Sequence, residues 1–154
     1  MKHYKILKLI LNRIKDENFT WRVEGSLNLV LQGINVKVKD IDIATDKKGI
    51  KTFREKLNEF IVKDFYKKKI NAQTILCKIE GCEVEILQRD NKNLDMFDKI
   101  KIINWKKLEI PILPLTSAKK FYSLIGKKEK VEIIKDYLKK GSTSEYKQII
   151  LAAS

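Results

Sequence analysis

Cysteine is scarce in this chain: Cys77 and Cys82 are its only two, and no metal-ligand residues stand beside them. A turn at Glu80-Gly81 pairs Ile79 with Cys82 and Cys77 with Val84. That sets the two sulfurs diagonally on one face, a poor geometry for a disulfide, so two reduced core thiols are expected. Long apolar runs are also missing; none approaches the roughly 18 residues needed to cross a bilayer. The first residues, MKHYKILKLILNRIKDE, mix Lys and Arg through their apolar positions and lack a signal-peptide core. No membrane partner and a cytoplasmic location are the expectations. No internal repeat and no low-complexity linker interrupts the chain.

What is present is a charged, globular composition: 44% hydrophobic and 34% charged residues over 154 positions. That length favours one domain, 1–154, with C-terminal helices at about 115–140 packed on it. The net charge of +13 invites a polyanionic partner, but the lysines are spread along the chain, as on a solvated surface.

Periodicity predicts an amphipathic helix over 3–15, with Leu7, Ile10, Leu11 and Ile14 inward, then a strand over 19–24. A short apolar helix follows from Ser26 to Leu31, ended by Gly33, and a strand over 36–44. Asp46 to Gly49 reads as a turn and 50–66 as a helix, closed by Lys67-Lys68-Lys69 as a solvated C-terminal cap. A hairpin joins 74–79 to 82–87. Beyond it come a polar stretch over 90–99, a loop or a short helix, then extended pieces at 101–105 and 110–113, and helices at 116–125 and 128–138, the first capped by Thr116 or Ser117. One more helical turn is expected after Gly141.

The candidate chemistry lies between Gly25 and Thr45, which read GSLNLVLQGINVKVKDIDIAT. Asp40 and Asp42, at i and i+2 of a strand, share one face at roughly 7 Å between backbones, and two such carboxylates attract a hard divalent cation. Gly25-Ser26 opens a buried helix, where free backbone N–H groups and a hydroxyl suit a phosphate. Hairpin pairing separates two further acids. Glu83 stands opposite Lys78 and reads as structural, whereas Glu85 stands opposite Leu76 and reads as functional.

This order resembles the DNA polymerase β-like nucleotidyltransferase superfamily: Gly25-Ser26, buried helix, Asp40-x-Asp42, then an acid between apolar residues at Val84-Glu85-Ile86. The chain is similar to that superfamily's small stand-alone bacterial and archaeal members over about residues 18–138. The resemblance implies an α+β fold with a mixed sheet of about four to five strands flanked by helices. It also implies two Mg²⁺ ions held by Asp40, Asp42 and Glu85, with those three acids catalytic. Two such metals sit about 3.5–4 Å apart and clamp the attacking and leaving oxygens of an in-line displacement. Gly25 and Ser26 would bind the nucleotide, ATP or another NTP. Many members have Asp where this chain has Glu85, and Val131 stands where some relatives carry an Asp. Lys119, Lys120 and Lys127 are candidates for triphosphate contacts, though in so lysine-rich a chain each also reads as surface charge.

The implied activity is transfer of an NMP, AMP from ATP being favoured, to an acceptor hydroxyl with release of pyrophosphate. The acceptor stays open among an RNA 3′ end, a protein side chain and a small molecule such as an aminoglycoside, and an oligomer stays open too. The alternative is a non-catalytic, antitoxin-like or nucleic-acid-binding module that keeps the fold. A phosphodiesterase or nuclease using the same metals is less favoured.

Overall fold

In the computed structural model, residues 2–140 are described; the helical turn expected after Gly141 lies outside them. Lys2–Ile14 form α1, whose spacing buries Ile6, Leu7, Ile10 and Ile14 and covers Leu11 in part. Trp21–Glu24 form β1 and Gly25–Leu31 the short helix α2. Gly33, at φ +101°, ends α2: its N–H donates to the Val30 carbonyl, and that of Ile34 reaches back to Leu29, which satisfies two late carbonyls.

Ile41–Thr45 form β2, so the expected strand is cut short at its N-terminal side; Val36 to Lys39 run as loop and Asp40 sits at a bend. Asp46 is the N-cap of α3 (Lys47–Lys56), its side chain accepting from the Gly49 N–H at 2.7 Å. The expected turn is therefore the first turn of a helix. The helix expected to run to residue 66 stops ten residues earlier. Ile61–Lys67 are instead an edge strand, β3, mostly exposed, with Asp64 paired to Arg54 of α3. The lysine run at 67–69 thus ends a strand and begins a 3₁₀ turn (Lys68–Ile70), not a helix cap.

Ala72–Ile79 (β4) and Cys82–Arg89 (β5) make the expected hairpin in the expected register, Ile79 opposite Cys82 and Cys77 opposite Val84. Both cysteines are free and buried, and burial pushes the Cys77 thiol up to about 11. The sheet is mixed, five strands in the order β1-β2-β5-β4-β3, with β2 and β5 parallel and the other pairs antiparallel. Two 3₁₀ turns occupy the polar stretch after it. Lys101–Trp105 (β6) and Leu108–Ile112 (β7) form a separate ribbon, with β7 packed beside β1. Leu115–Leu124 (α4) and Lys128–Lys140 (α5) complete the described chain; Pro114, not Thr116 or Ser117, sits at the N-cap of α4.

The sheet's two faces have different covers. The main core fills one face, where Ile43, Ile75, Val84 and Ile86 meet α1 and α3. A second cluster joins Leu29 of α2 and Leu113 to Ala118, Phe121 and Tyr122 of α4 and Ile134 of α5. Asn28 ties α2 to the segment between β7 and α4: its buried amide donates to the Leu113 carbonyl and accepts from the Leu113 N–H, both at 3.0 Å.

Candidate active site

Three carboxylates lie in one row across the central strands. Glu24 of β1 pairs in register with Asp42 of β2, which pairs with Glu85 of β5. Neighbouring strands lie about 4.8 Å apart, so the three backbones carry their acids side by side. Asp40, two residues before Asp42, is exposed at the mouth.

The row is unevenly neutralised. Glu24 is buried and held by Arg89 through two contacts, 2.9 and 2.7 Å, with Arg22 Nη1 at 3.4 Å. Burial works to raise the Glu24 carboxyl, but Arg89 and then Arg22 outweigh it and hold it below the ordinary value. Glu85 is engaged by Lys67, Nζ to Oε2 at 3.5 Å. That cation comes from β3, a strand where the periodicity predicts a helix; the residue directly opposite Glu85 is Leu76, as expected. Asp42 has no salt bridge among the described residues. Burial, then the charges of Glu24, Glu85 and Asp40, push its carboxyl up to about 7.

Gly25 has a tighter reason to be glycine than phosphate access. Its φ is +70°, and a Cβ there would overlap Asp42 Oδ2. The backbone of α2 therefore approaches the central acid as only glycine allows. No side chain caps the start of α2. Ser26 instead accepts a hydrogen bond from Lys130 of α5, at 3.3 Å.

A cavity of about 340 Å³ opens over this row, with Gly25, Ser26, Asp42 and Glu85 along one side and Tyr122, Lys127 and Lys130 along the other. Glu24 and Arg89 form part of its lining, and Ile70 and Ile125 add apolar surface. A smaller hollow of about 240 Å³, bounded by Ser26, Lys37, Lys39, Asp40 and Asp42, adjoins it. The fold brings all five sequence candidates, Gly25, Ser26, Asp40, Asp42 and Glu85, to these two hollows. Lys127 joins them; Lys119 and Lys120 line neither.

Among the described residues, no group of three or more His, Cys, Asp or Glu side chains is gathered closely enough to hold a metal ion. The donor chemistry of the row nevertheless fits a hard divalent cation: oxygen ligands only, and a central carboxyl whose raised pKa marks negative charge short of compensation. Glu24 and Arg89 were missed from sequence, although Arg22 and Glu24 alternate onto the face opposite Trp21 and Val23. Arg22 and Arg89 both stack on the Phe121 ring, 5.1 and 5.0 Å from its centroid. Lys130 was missed because nothing in the order of the chain joins α5 to Ser26.

A mixed sheet with an acid row, a glycine-opened helix and a basic helix pair defines a nucleotidyltransferase of the polymerase β-like fold. Residues 6–137 match the model of the aminoglycoside-2″-adenylyltransferase family, and the chain belongs to that family. Curated protein sequences give no match. Among solved structures, TM1012 of Thermotoga maritima, described as a candidate nucleotidyltransferase, superposes with a TM-score of 0.73 at 27% identity, covering 90% of this chain and 94% of that one. The lincosamide antibiotic adenylyltransferase LnuA, solved with lincomycin bound, gives 0.59 at 18% identity, covering 85% of this chain and 95% of that one. ANT(2″)-Ia, solved with adenylyl-2″-tobramycin, gives 0.63 at 9% identity, covering 99% and 97%. The last two share the fold. The chain is an enzyme of the nucleotidyltransferase class.

Proposed function

We propose that the chain transfers AMP from ATP to an acceptor hydroxyl, with Mg²⁺, and releases pyrophosphate. The observation that carries this reading is the in-register pair Asp42–Glu85 beside the close approach of Gly25, with Lys130 donating to Ser26 across the cavity. Ser26, Lys127 and Lys130 would hold the triphosphate. Lys130 is already within hydrogen-bond reach of Ser26, so one phosphate can satisfy both.

Asp40 and Asp42 would hold the cation, joined by Glu85 once Lys67 lets go of it. Bound there, Mg²⁺ supplies charge neutralisation to the phosphates and to the leaving pyrophosphate. The acceptor oxygen forms a bond to the α-phosphorus as the bond from that phosphorus to the bridging oxygen breaks, and the electron pair leaves with pyrophosphate. Glu85 would also assist in taking the proton of the acceptor hydroxyl. Arg89 keeps Glu24 neutralised, so the row presents the two carboxylates Asp42 and Glu85 to the cavity with Asp40 at its mouth.

We read residues 1–154 as one domain built round this site. No helix among the described residues is long and apolar enough to cross a membrane, and a cytoplasmic setting accords with two buried thiols. Calorimetric titration with Mg-ATP tests the reading. Binding that weakens at least tenfold on Asp42→Asn, with pyrophosphate as the released product, is the expected result. Binding that survives both Asp40→Asn and Asp42→Asn undiminished, or monophosphate as product, overturns it.

A further inference from the structure

Two tethered cations flank the acid row, and their grips differ. Arg89 holds Glu24 through two contacts, 2.9 and 2.7 Å, with both residues buried. Lys67 holds Glu85 through one contact, 3.5 Å from Nζ to Oε2, with the side chains 35% and 27% exposed. Breaking the first pair would strand buried charge, which is strongly unfavourable. The second is easily released, because a half-exposed ammonium regains its hydration on leaving and such pairs contribute little. Between them Asp42 has no ion-pair partner among the described residues, and neither has Asp40 at the mouth.

Lys67 is nonetheless a placed residue and not a stray surface charge. It stands in register with Ala72 of β4 and Arg89 of β5, on the face of the sheet that carries Glu85. Ala72 puts only a methyl group beneath its stem, so the side chain can cross β4 and reach Glu85 further along β5. The strand end that carries Lys67 is fastened from behind. Tyr66, on the other face, donates its hydroxyl to the Asp90 carboxylate, and the Asp90 N–H donates to the Asn71 carbonyl at 2.9 Å. The neighbouring lysines do otherwise: Lys63 lies over the Phe65 ring, 4.3 Å from its centroid, and Lys68 and Lys69 stand in the open. Lys67 alone among these four meets the acid.

We infer that Lys67 is a built-in counter-cation that keeps the place of a second metal ion at Glu85. Asp40 and Asp42 then load an ion first, and Glu85 joins only when a second ion displaces the ammonium. An ammonium and a divalent ion cannot share the Glu85 oxygens, since like charges a few ångströms apart repel. Lys67 is thus a positioning residue that acts through Glu85 and sets how readily the site fills. This rests on the transferase reading above and adds an order of metal loading to it.

Mn²⁺ is the probe, added to the full chain together with α,β-methylene-ATP, which carries a triphosphate that cannot be split at the α-phosphorus. Electron paramagnetic resonance reads the Mn²⁺ left free. The parent is expected to take up one ion with the nucleotide and a second one more weakly. Lys67→Met keeps the stem and removes the charge; it is expected to tighten the second ion about fivefold and leave the first within about twofold. Lys68→Met, which removes an equal charge one residue away, and Lys67→Arg, which keeps the charge, should leave both ions within about twofold. Adding Glu85→Gln to Lys67→Met should abolish the gain. Absence of a second ion, a second ion that Lys67→Met does not tighten, a gain matched by Lys68→Met, or a gain that outlasts Glu85→Gln overturns the inference. Nucleotide that still binds with its first ion in that event leaves the transferase reading standing, whereas a chain that binds neither ends both.

Discussion

At the scale of single residues, Asp42 carries the sharpest consequence. Its folded carboxyl titrates at about 7, raised from an ordinary 3.8 by burial and by Glu24, Glu85 and Asp40. Between those values the folded chain binds more protons than the unfolded one, so metal-free stability falls as pH rises through that window. The raised pKa corresponds to a loss on the order of 2–4 kcal/mol by pH 8. Asp42→Asn should therefore be the more stable protein at pH 8 without metal and hold a smaller margin over the parent at pH 5, where only part of that loss has set in, while responding less to Mg²⁺. Urea unfolding at the two pH values, with and without Mg²⁺, measures this; a parent that gains metal-free stability from pH 5 to pH 8 contradicts it. Gly25 makes a second case. Gly25→Ala combines a left-handed φ, costing roughly 1–2 kcal/mol, with an overlap that displaces the Asp42 carboxylate. Its midpoint in urea should drop, and Mg-ATP affinity with it. A substitution at Gly126, at φ +77° with open space around its Cβ, should cost only the backbone strain and spare the site.

At the scale of elements, the Arg22–Glu24–Arg89 cluster ties β1 and β5 to α4 through Phe121. Arg22 is wholly buried and donates to the Asp95 and Leu94 carbonyls, so it also fastens the turn after β5. Glu24→Ala leaves two buried guanidiniums without their acid, and such a break typically costs about 3–5 kcal/mol. Arg89→Met with Glu24→Gln keeps the bulk and leaves one buried guanidinium, Arg22, without its acid in place of two, so the double variant should be more stable than Glu24→Ala; urea unfolding of the two variants reads the difference. The same elements mark where sequence reasoning held and where it failed. The β4–β5 hairpin was legible to the register because Glu80-Gly81 fixes the turn and one residue of slip would turn Ile75, Cys77 and Val84 outward. The strand β3 was not legible. Phe60 and Ile61 continue the helical spacing of Phe53 and Leu57, and an exposed edge strand such as Val62 to Lys67 has no buried face to impose a period of two. Asp40 was assigned to a strand that begins one residue later. Glu24 and Lys130 could not be recognised from spacing, because a cross-strand row and a helix folded back over it exist only in three dimensions.

At the scale of the whole molecule, the candidate site is an assembly of two halves. The carboxylates stand on β1, β2 and β5, while Lys127 and Lys130 approach from the far end of the chain at the start of α5. An unfolded chain cannot bring these together, so a nucleotide that bridges them binds the folded state alone and stabilises it by mass action. At about a hundred times its Kd, Mg-ATP should add about 2.7 kcal/mol, which for a chain of this size raises Tm by about 5–11 °C. Lys130→Ala removes the donor to Ser26 from the α5 half and should shrink that rise while leaving the ligand-free Tm nearly in place, because Lys130 packs no core. Raising the salt should shrink it in the parent as well, since the +13 net charge and the lysines at the cavity are screened together. Thermal-shift curves for the parent and Lys130→Ala, at low and high salt, separate the two effects. A rise in Tm that Lys130→Ala leaves whole would mean that the nucleotide sits on the acid half alone, and the assignment of the basic helix pair to the triphosphate would have to be given up.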